Sequence, residues 1–350
     1  MSFPSFDTPL YYAAPPHNYI GTTVFLLYII VALYTTIVIT LSIYGQYTTL
    51  PDTYANPGNP GLNAAKNARK RHIKIYAFLA SISFAMLSYN MLMFLVTHYL
   101  SWSGDPSRSV GNVTIPALRS WMLDSSLFQE FAQDLVKNAP SAVWTQSAIV
   151  GTWFWNIWMA RKARQRTIET SMMRTYILLG QILPISLTAS LFIIQLHLRA
   201  PEFKHGNAPA AARRKPVASL QIPNILLNIA LLALPALRAD ATFSPLVLFE
   251  RVVLLLPHSG LLSLRESEIA KCITVSGGFL VANVVRLSKE LSIASVLLTL
   301  RVGGYAVKAL SWDALLGAVV ATQICGGNNN APEYEQGKLY TGRNPRSAIP

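Results

Sequence analysis

Residues 22–44 read TTVFLLYIIVALYTTIVITLSIY, a stretch of 23 residues that contains no charged side chain. In water, its many β-branched residues would favour a strand. A run of about 20 apolar residues, however, is long enough to cross the hydrocarbon core of a bilayer as a helix. In lipid the backbone must also satisfy its own hydrogen bonds, which a helix does. The stretch therefore predicts a transmembrane helix.

Further apolar stretches of this kind follow along the chain. They cover residues 75–100, 142–160, 176–198, 220–237, 245–262 and 305–325, while residues 269–301 hold either one span or two. Pro184 is expected to kink the stretch 176–198. The pattern predicts an all-α fold, a polytopic integral membrane bundle of about 7–8 transmembrane helices. Residues 1–325 form this single domain, and residues 326–350 form a disordered polar tail.

The composition agrees with a membrane environment. Only 13% of the residues are charged, whereas soluble domains average roughly 25%. The net charge is +13, but the cations flank the apolar stretches, where they set topology and contact anionic lipid. Membrane lipid is therefore an expected partner, and nucleic acid is not, because no nucleic-acid-binding motif accompanies the charge.

The basic loops predict an orientation. Residues 66–74 and 161–166 are rich in Lys and Arg and belong in the cytosol. The N-terminus and the loop of about 101–140 then face the lumen, most simply of the endoplasmic reticulum. That loop holds a glycosylation sequon at Asn112, and residues 115–137 predict an amphipathic surface helix. The basic loop 199–219 contradicts this scheme, so either it is an exception or one span is re-entrant.

The familiar cofactor and metal motifs are absent from the sequence. It contains no DDxxD, GxxxxGK[ST], GxGxxG, HExxH or GxSxG motif, and its acids and histidines are scattered. Clustered carboxylates would be needed to hold magnesium against a diphosphate. We therefore expect no cofactor and no metal site.

Two carboxylates lie inside apolar stretches, Glu250 and Asp313. An ionisable group at such a position is costly and usually faces the bundle interior. Glu250 is either a proton donor, since desolvation keeps a carboxylic acid neutral, or half of a structural ion pair. Asp313 is either a second acid in the same cavity or an acid near a helix start. Arg251 points about 100° away from Glu250 on a helix.

The third stretch is unusually aromatic, with Trp153, Trp155 and Trp158. These rings either form an interfacial belt or line a substrate cavity, where π faces stabilise carbocations. Asn156 and Gln181 either hydrogen-bond between helices or contact substrate. The three tryptophans, these two amides and Arg251 are the expected substrate-binding residues.

The stretch 144–198 carries a resemblance to a known family. It combines a tryptophan-rich segment, WTQSAIVGTWFWNIW, the basic loop RKARQR, and a helix of the form LGQ-x-x-x-IS-x-x-x-x-LF. This pattern resembles the fungal membrane-bound terpene cyclases of meroterpenoid biosynthesis, of the ascochlorin and macrophorin type. The later LVLFERVVLLLP is similar to an arginine-bearing helix of that family. The resemblance supplies no catalytic residues.

The resemblance implies a terpene cyclase that cyclises the farnesyl chain of a prenylated aromatic, a lipophilic small molecule. Protonation of an olefin or a terminal epoxide would begin the reaction, without a metal. Two other classes stay open: a transporter or receptor-like protein that uses the intramembrane acids, and a non-catalytic scaffold for pathway enzymes.

Overall fold

The computed structural model describes residues 15–49, 60–104, 113–166, 168–199 and 218–327. These residues are almost entirely helical and contain no strand, only one isolated parallel bridge between Ala218 and Leu262. The all-α prediction is confirmed for them. Asn112 and residues 328–350 of the predicted tail lie outside the described residues.

Twelve α-helices occur within these ranges. In chain order they are α1 (Tyr19–Thr48), α2 (Pro60–Ser103), α3 (Ile115–Asp124), α4 (Leu127–Leu135), α5 (Ala139–Gln165), α6 (Thr170–Ile182), α7 (Ile185–Leu198), α8 (Gln221–Ala233), α9 (Phe243–Leu255), α10 (Glu266–Arg286), α11 (Ile293–Val302) and α12 (Tyr305–Gly327). A short 3₁₀ helix, Leu256–Ser259, extends α9.

Four helices are long and apolar enough to cross a membrane. They are Tyr19–Thr48, Asn67–Ser103, Glu266–Arg286 and Tyr305–Ile324. Large apolar side chains on these helices face outward, for example Leu41 at 64% exposure and Phe78 at 66%. Exposed apolar surface of this extent is typical of contact with lipid, and it indicates that the protein associates with a membrane.

The predicted fourth span is not one kinked helix. Residues 176–198 fall into α6 and α7, which are joined by Leu183 and Pro184 and fold back on each other. The rings of Tyr176 and Phe192 lie edge to face with centroids 5.4 Å apart, whereas a continuous helix would separate these residues by about 24 Å. The prediction of a single kinked helix was therefore wrong, because Pro184 lies at the tip of a hairpin between two helices.

This α6–α7 hairpin lies within the bundle. Almost every residue of α7 is buried, because α7 packs on α1, α2, α5 and α12 as well as α6. Each arm has 13 or 14 residues, which is about 20 Å of helix and too short for a bilayer core of about 30 Å. Non-helical backbone at such a depth is tolerated where protein covers it.

The hairpin brings three basic segments to one end of the bundle, called the basic end below. Residues 67–74, 161–166 and 197–199 all lie there, as the contact of Arg69 with His197 and the shared packing of Ile73, Ala163 and Leu198 indicate. The loops before and after the hairpin therefore leave from the same end. This arrangement of the described residues is the one that the re-entrant alternative for the loop 199–219 requires.

The opposite end of the bundle carries α3 and α4. The predicted single surface helix over 115–137 was wrong, since Ser125 and Ser126 interrupt it. The two helices also pack on protein: Trp121 and Leu127 are buried beside Phe25 and Tyr99. The backbone of Asn18 donates to the carbonyl oxygen of Leu123 at 3.1 Å and so ties the start of α1 to α3.

Two apolar clusters form the interior, and α5 contributes to both. One cluster surrounds α7 and includes Met159 together with partly buried Trp155 and Trp158. The other joins α5 to α8 and α9 through Trp153, Ile157 and their neighbours. Adjacent aromatic residues of α5 therefore face different compartments.

Candidate functional site

Three other helices contact the tip of the α6–α7 hairpin. The end of α6 presents free carbonyl groups and the start of α7 presents free N–H groups, as at any helix terminus. Within the bundle these groups need partners, because an unpaired backbone group away from water costs free energy. The partners come from α1, α9 and α12.

Asp313 of α12 caps the start of α7. Its Oδ2 accepts a hydrogen bond from the backbone N–H of Ile185 at 3.0 Å, and its Oδ1 accepts one from Ser186 at 2.9 Å. The residue is 8% exposed. A carboxylate at a helix N-terminus is also favoured by the helix dipole. Asp313 therefore does not lie near the start of its own helix, as one interpretation of the sequence had it; it is buried inside α12 and caps α7.

Two side chains donate hydrogen bonds to the free carbonyl groups at the end of α6. The Tyr28 hydroxyl donates to the carbonyl oxygen of Ile182, and Arg251 Nη1 donates to that of Gln181 at 3.3 Å. The cation therefore lies at the negative end of one helix and the carboxylate at the positive end of the next. Among the predicted site residues, Gln181, Arg251 and Asp313 are brought together here.

Glu250 lies beside this tip but points elsewhere. On α9 the apolar residues at 243, 246, 247, 253 and 254 belong to the cluster with Trp153. Glu250 falls in the middle of that stripe, seven residues after Phe243, which returns to nearly the same helix face. It is 3% exposed. Among the described residues, no group hydrogen-bonds its Oε1. Within the described ranges, Glu250 forms no ion pair of the kind considered above.

The three predicted tryptophans are divided between the two sides of α5. Trp153 is fully buried on the Glu250 side, and its Nε1 has no hydrogen-bond partner within the described residues. Trp155 and Trp158 pack edge to face with centroids 5.4 Å apart and lie on the α7 side. Trp155 rests against Gly317 of α12, one helical turn from Asp313.

Asn156 contacts a residue that the sequence did not single out. Its Nδ2 donates to Thr152, so its Oδ1 is left to accept from His258 Nε2 at 3.0 Å. The His258 proton then lies on Nε2, and Nδ1 is an unprotonated acceptor. That Nδ1 is buried and has no partner in the described part of the chain.

Six buried side-chain polar atoms lack a hydrogen-bond partner within the described residues, and three of them lie around one compartment. Glu250 Oε1, Trp153 Nε1 and His258 Nδ1 all belong to α5, α9 and the 3₁₀ helix, which pack on one another. Such groups are rare in native structures and often mark redox or catalytic function. The compartment, defined by these three residues and called the acid compartment below, is the candidate active site.

Two cavities elsewhere in the described structure have other linings. One, of about 580 Å³, lies between the start of α1 and α3. The other, of about 530 Å³, lies among α1, α2 and α7. Neither is lined by Glu250 or Asp313, so a cavity shared by the two acids stays a prediction.

In the part of the chain that the structure describes, fold and site define a helical, membrane-associating protein that is organised around a buried hairpin and carries an interior acid, Glu250, with one oxygen lacking a hydrogen-bond partner. No protein-family model, no curated protein and no solved structure matches the chain.

Proposed function

We propose that the protein is a membrane-bound terpene cyclase that acts on a prenylated aromatic by protonating its farnesyl chain. Glu250 carries this proposal: it is a carboxylic acid in an apolar interior with an oxygen that nothing in the described structure occupies. Desolvation favours the neutral form of such an acid. A neutral carboxylic acid is able to act as a general acid.

The chemistry balances with residues of the acid compartment. The Glu250 O–H bond breaks as a C–H bond forms at the terminal olefin, or as an O–H bond forms on an epoxide whose C–O bond opens. The electron pair of the next double bond closes a ring, and the charge moves along the chain. The final cation loses a proton to His258 Nδ1, which restores an alkene. Aromatic walls such as Trp153 stabilise the cation, and apolar packing keeps water away from it.

The resemblance of residues 144–198 to fungal meroterpenoid cyclases supports the same class. A lipophilic substrate would partition into the bilayer, which accounts for an enzyme built in the membrane. The proposal includes seven crossings, by α1, α2, α5, α8, α9, α10 and α12, with the hairpin re-entrant. The 13-residue helices α8 and α9 reach the thickness of a bilayer core only together with the turns at 234–239 and the 3₁₀ helix Leu256–Ser259 that extend them. The lumenal N-terminus and a multi-pass position in the endoplasmic reticulum membrane belong to the proposal as well.

The test replaces Glu250 in microsomes supplied with a farnesylated aromatic or its epoxide. Glu250→Gln preserves size but removes the transferable proton, so cyclised product should fall roughly 10²–10⁴-fold while the protein accumulates normally. Glu250→Asp should keep part of the activity. Glu290→Gln, which alters an exposed acid at the far end of α10, is the matched control and should be fully active.

Excess EDTA should leave wild-type activity intact. Full activity of Glu250→Gln would contradict the assignment of Glu250 as the proton donor. Loss of activity in EDTA that magnesium restores would contradict the metal-independent mechanism.

A transporter is the second candidate, favoured by the hairpin itself. Discontinuous membrane helices with charged residues at their tips build many transport sites. Proton or solute flux into proteoliposomes that is abolished by Asp313→Asn, with no cyclised product in the microsomal assay, would favour this candidate over the cyclase.

A further inference from the structure

The helices α1 and α2 enclose a gap at the basic end of the bundle. Both pack against α7, yet in the described residues they barely touch each other. The hydrogen bond from Gln195 Nε2 to Gln46 Oε1, 2.8 Å long, holds α1 against α7. The gap is therefore a groove whose floor is α7 and whose two walls are α1 and α2.

The groove has a volume of about 530 Å³ and an apolar lining, within the usual range for small-molecule sites. Along α2 it runs from Lys74 to Phe84, which corresponds to about 15 Å of helix. Half of a bilayer core of about 30 Å has the same depth. Its principal wall and floor residues are Thr40, Ile43, Ala77, Phe84, Leu187 and Leu191.

One rim of the groove is cationic. Lys74 lines this rim and is exposed, and the exposed Arg71 precedes it by one turn of α2. Tyr47 adds a hydroxyl at the same level. The apolar groove is as deep as one leaflet and lies beneath the ammonium group of Lys74. It is therefore complementary to an acyl chain that carries an anionic head group.

We propose that this groove binds one anionic phospholipid of the leaflet that faces the basic end. One acyl chain lies between α1 and α2 on the surface of α7, and the phosphate lies at Lys74. The site is separate from the acid compartment, since none of its lining residues belongs to α5 or α9. The bound chain would also contact Leu187 and Leu191 of the hairpin arm and thereby support it.

The experiment measures lipid retention by native mass spectrometry of the full chain in detergent. Dioleoyl-phosphatidylserine and dioleoyl-phosphatidylcholine are added in separate titrations. The wild type should retain one phosphatidylserine at concentrations where phosphatidylcholine is not retained. Lys74→Gln should weaken phosphatidylserine retention about fivefold, as expected for one basic side chain near an anionic lipid surface.

A variant that fills the groove with a large side chain tests the apolar part of the site independently of its charge. Ala77→Trp places an indole in the groove and should abolish retention of phosphatidylserine. Phe78→Trp changes the adjacent residue, which points away from the groove, and should bind like the wild type. Circular dichroism and thermal unfolding of all variants establish that each is folded.

Three results would overturn the proposal. They are equal retention of both lipids by the wild type, unchanged retention in folded Ala77→Trp, and preferential displacement of phosphatidylserine by a farnesylated aromatic acid. The last result would reassign the groove to a prenylated ligand.

Discussion

At the scale of the residue, the two interior acids have opposite surroundings. Asp313 has both oxygens occupied as hydrogen-bond acceptors by backbone N–H groups of α7. Glu250 has an oxygen with no partner among the described residues and an apolar environment. Pairs of titratable groups whose environments differ in this way often have different roles. Here Asp313 caps the hairpin, and Glu250 is the acid to which the proposed function assigns the proton transfer.

Replacing Asp313 tests the positioning role. Asp313→Ala leaves two buried N–H groups without acceptors, at about 1–3 kcal/mol each, so the thermal midpoint in detergent should fall clearly. Asp313→Asn keeps one amide oxygen and should cost less. A catalytic acid without a structural role would give the opposite pattern, in which both variants unfold like the wild type and both lose activity.

Glu130 supplies a prediction for pH dependence. Its pKa is held below the ordinary value of 4.5 by the hydrogen bond with His98 and by the backbone N–H of Ser126. Trp121 Nε1 donates to His98 Nδ1, so the His98 proton faces Glu130. Because this pKa is lower in the folded protein than in the unfolded chain, the ionised carboxylate stabilises the folded state above pH 4.5. That stabilisation is lost as the pH falls through the lower pKa of the folded state.

The thermal midpoint of the wild type should therefore decline below about pH 4.5, and Glu130→Gln should flatten that part of the curve. Asp124→Asn, an exposed acid on α3, is the control and should follow the wild type. Identical pH profiles for wild type and Glu130→Gln would contradict the assignment.

At the scale of the element, close helix contact depends on one glycine. A Cβ on Gly317 would lie 3.1 Å from Trp155 Nε1, whereas a Cβ on Gly277 would meet nothing within 4 Å. Gly317→Val should therefore push α12 from α5 and cost about 1–3 kcal/mol through overpacking. The same change at Gly277 should cost little, because Val and Gly differ only modestly in helix propensity. Equal thermal midpoints for the two variants would exclude close packing at Gly317.

The helices themselves were largely predictable, because apolar length determines them. The stretch 22–44 lies inside α1, and residues 305–325 lie inside α12. The hairpin was not predictable from hydropathy. A stretch of 23 apolar residues is long enough to span a bilayer, and its hydropathy is the same whether it crosses the membrane or turns back within it. The available signal was charge: the basic loops at 161–166 and 199–219 both favour the cytosol, and a re-entrant segment between them was one of the two explanations considered.

The site was predictable in part. An acid within an apolar stretch identified Glu250, and helix geometry correctly separated its direction from that of Arg251. The capping of α7 by Asp313 and the contact of Asn156 with His258 join residues more than 100 positions apart. Such contacts depend on how helices pack, and no local pattern in a single sequence encodes them.

At the scale of the whole molecule, the hairpin determines the number of crossings. If α6 and α7 return to the end from which they started, the start of α1 and the end of α12 lie at opposite ends of the bundle. Three basic segments then share one side, as the positive-inside rule requires. A single crossing by residues 176–198 would instead place the segments 161–166 and 199–219 on opposite sides of the membrane.

Cysteine labelling in sealed microsomes distinguishes these two topologies. In a chain with Cys272 and Cys325 replaced by Ser, Gln165→Cys and Ser219→Cys each place a thiol at an exposed position, one before the hairpin and one after it. A membrane-impermeant maleimide added outside should label both, because the proposed topology places the basic end in the cytosol. Glu290→Cys, at the opposite end of α10, should react only after the membrane is permeabilised. Labelling of positions 165 and 219 from opposite sides would show that the segment crosses the membrane and would contradict the re-entrant hairpin.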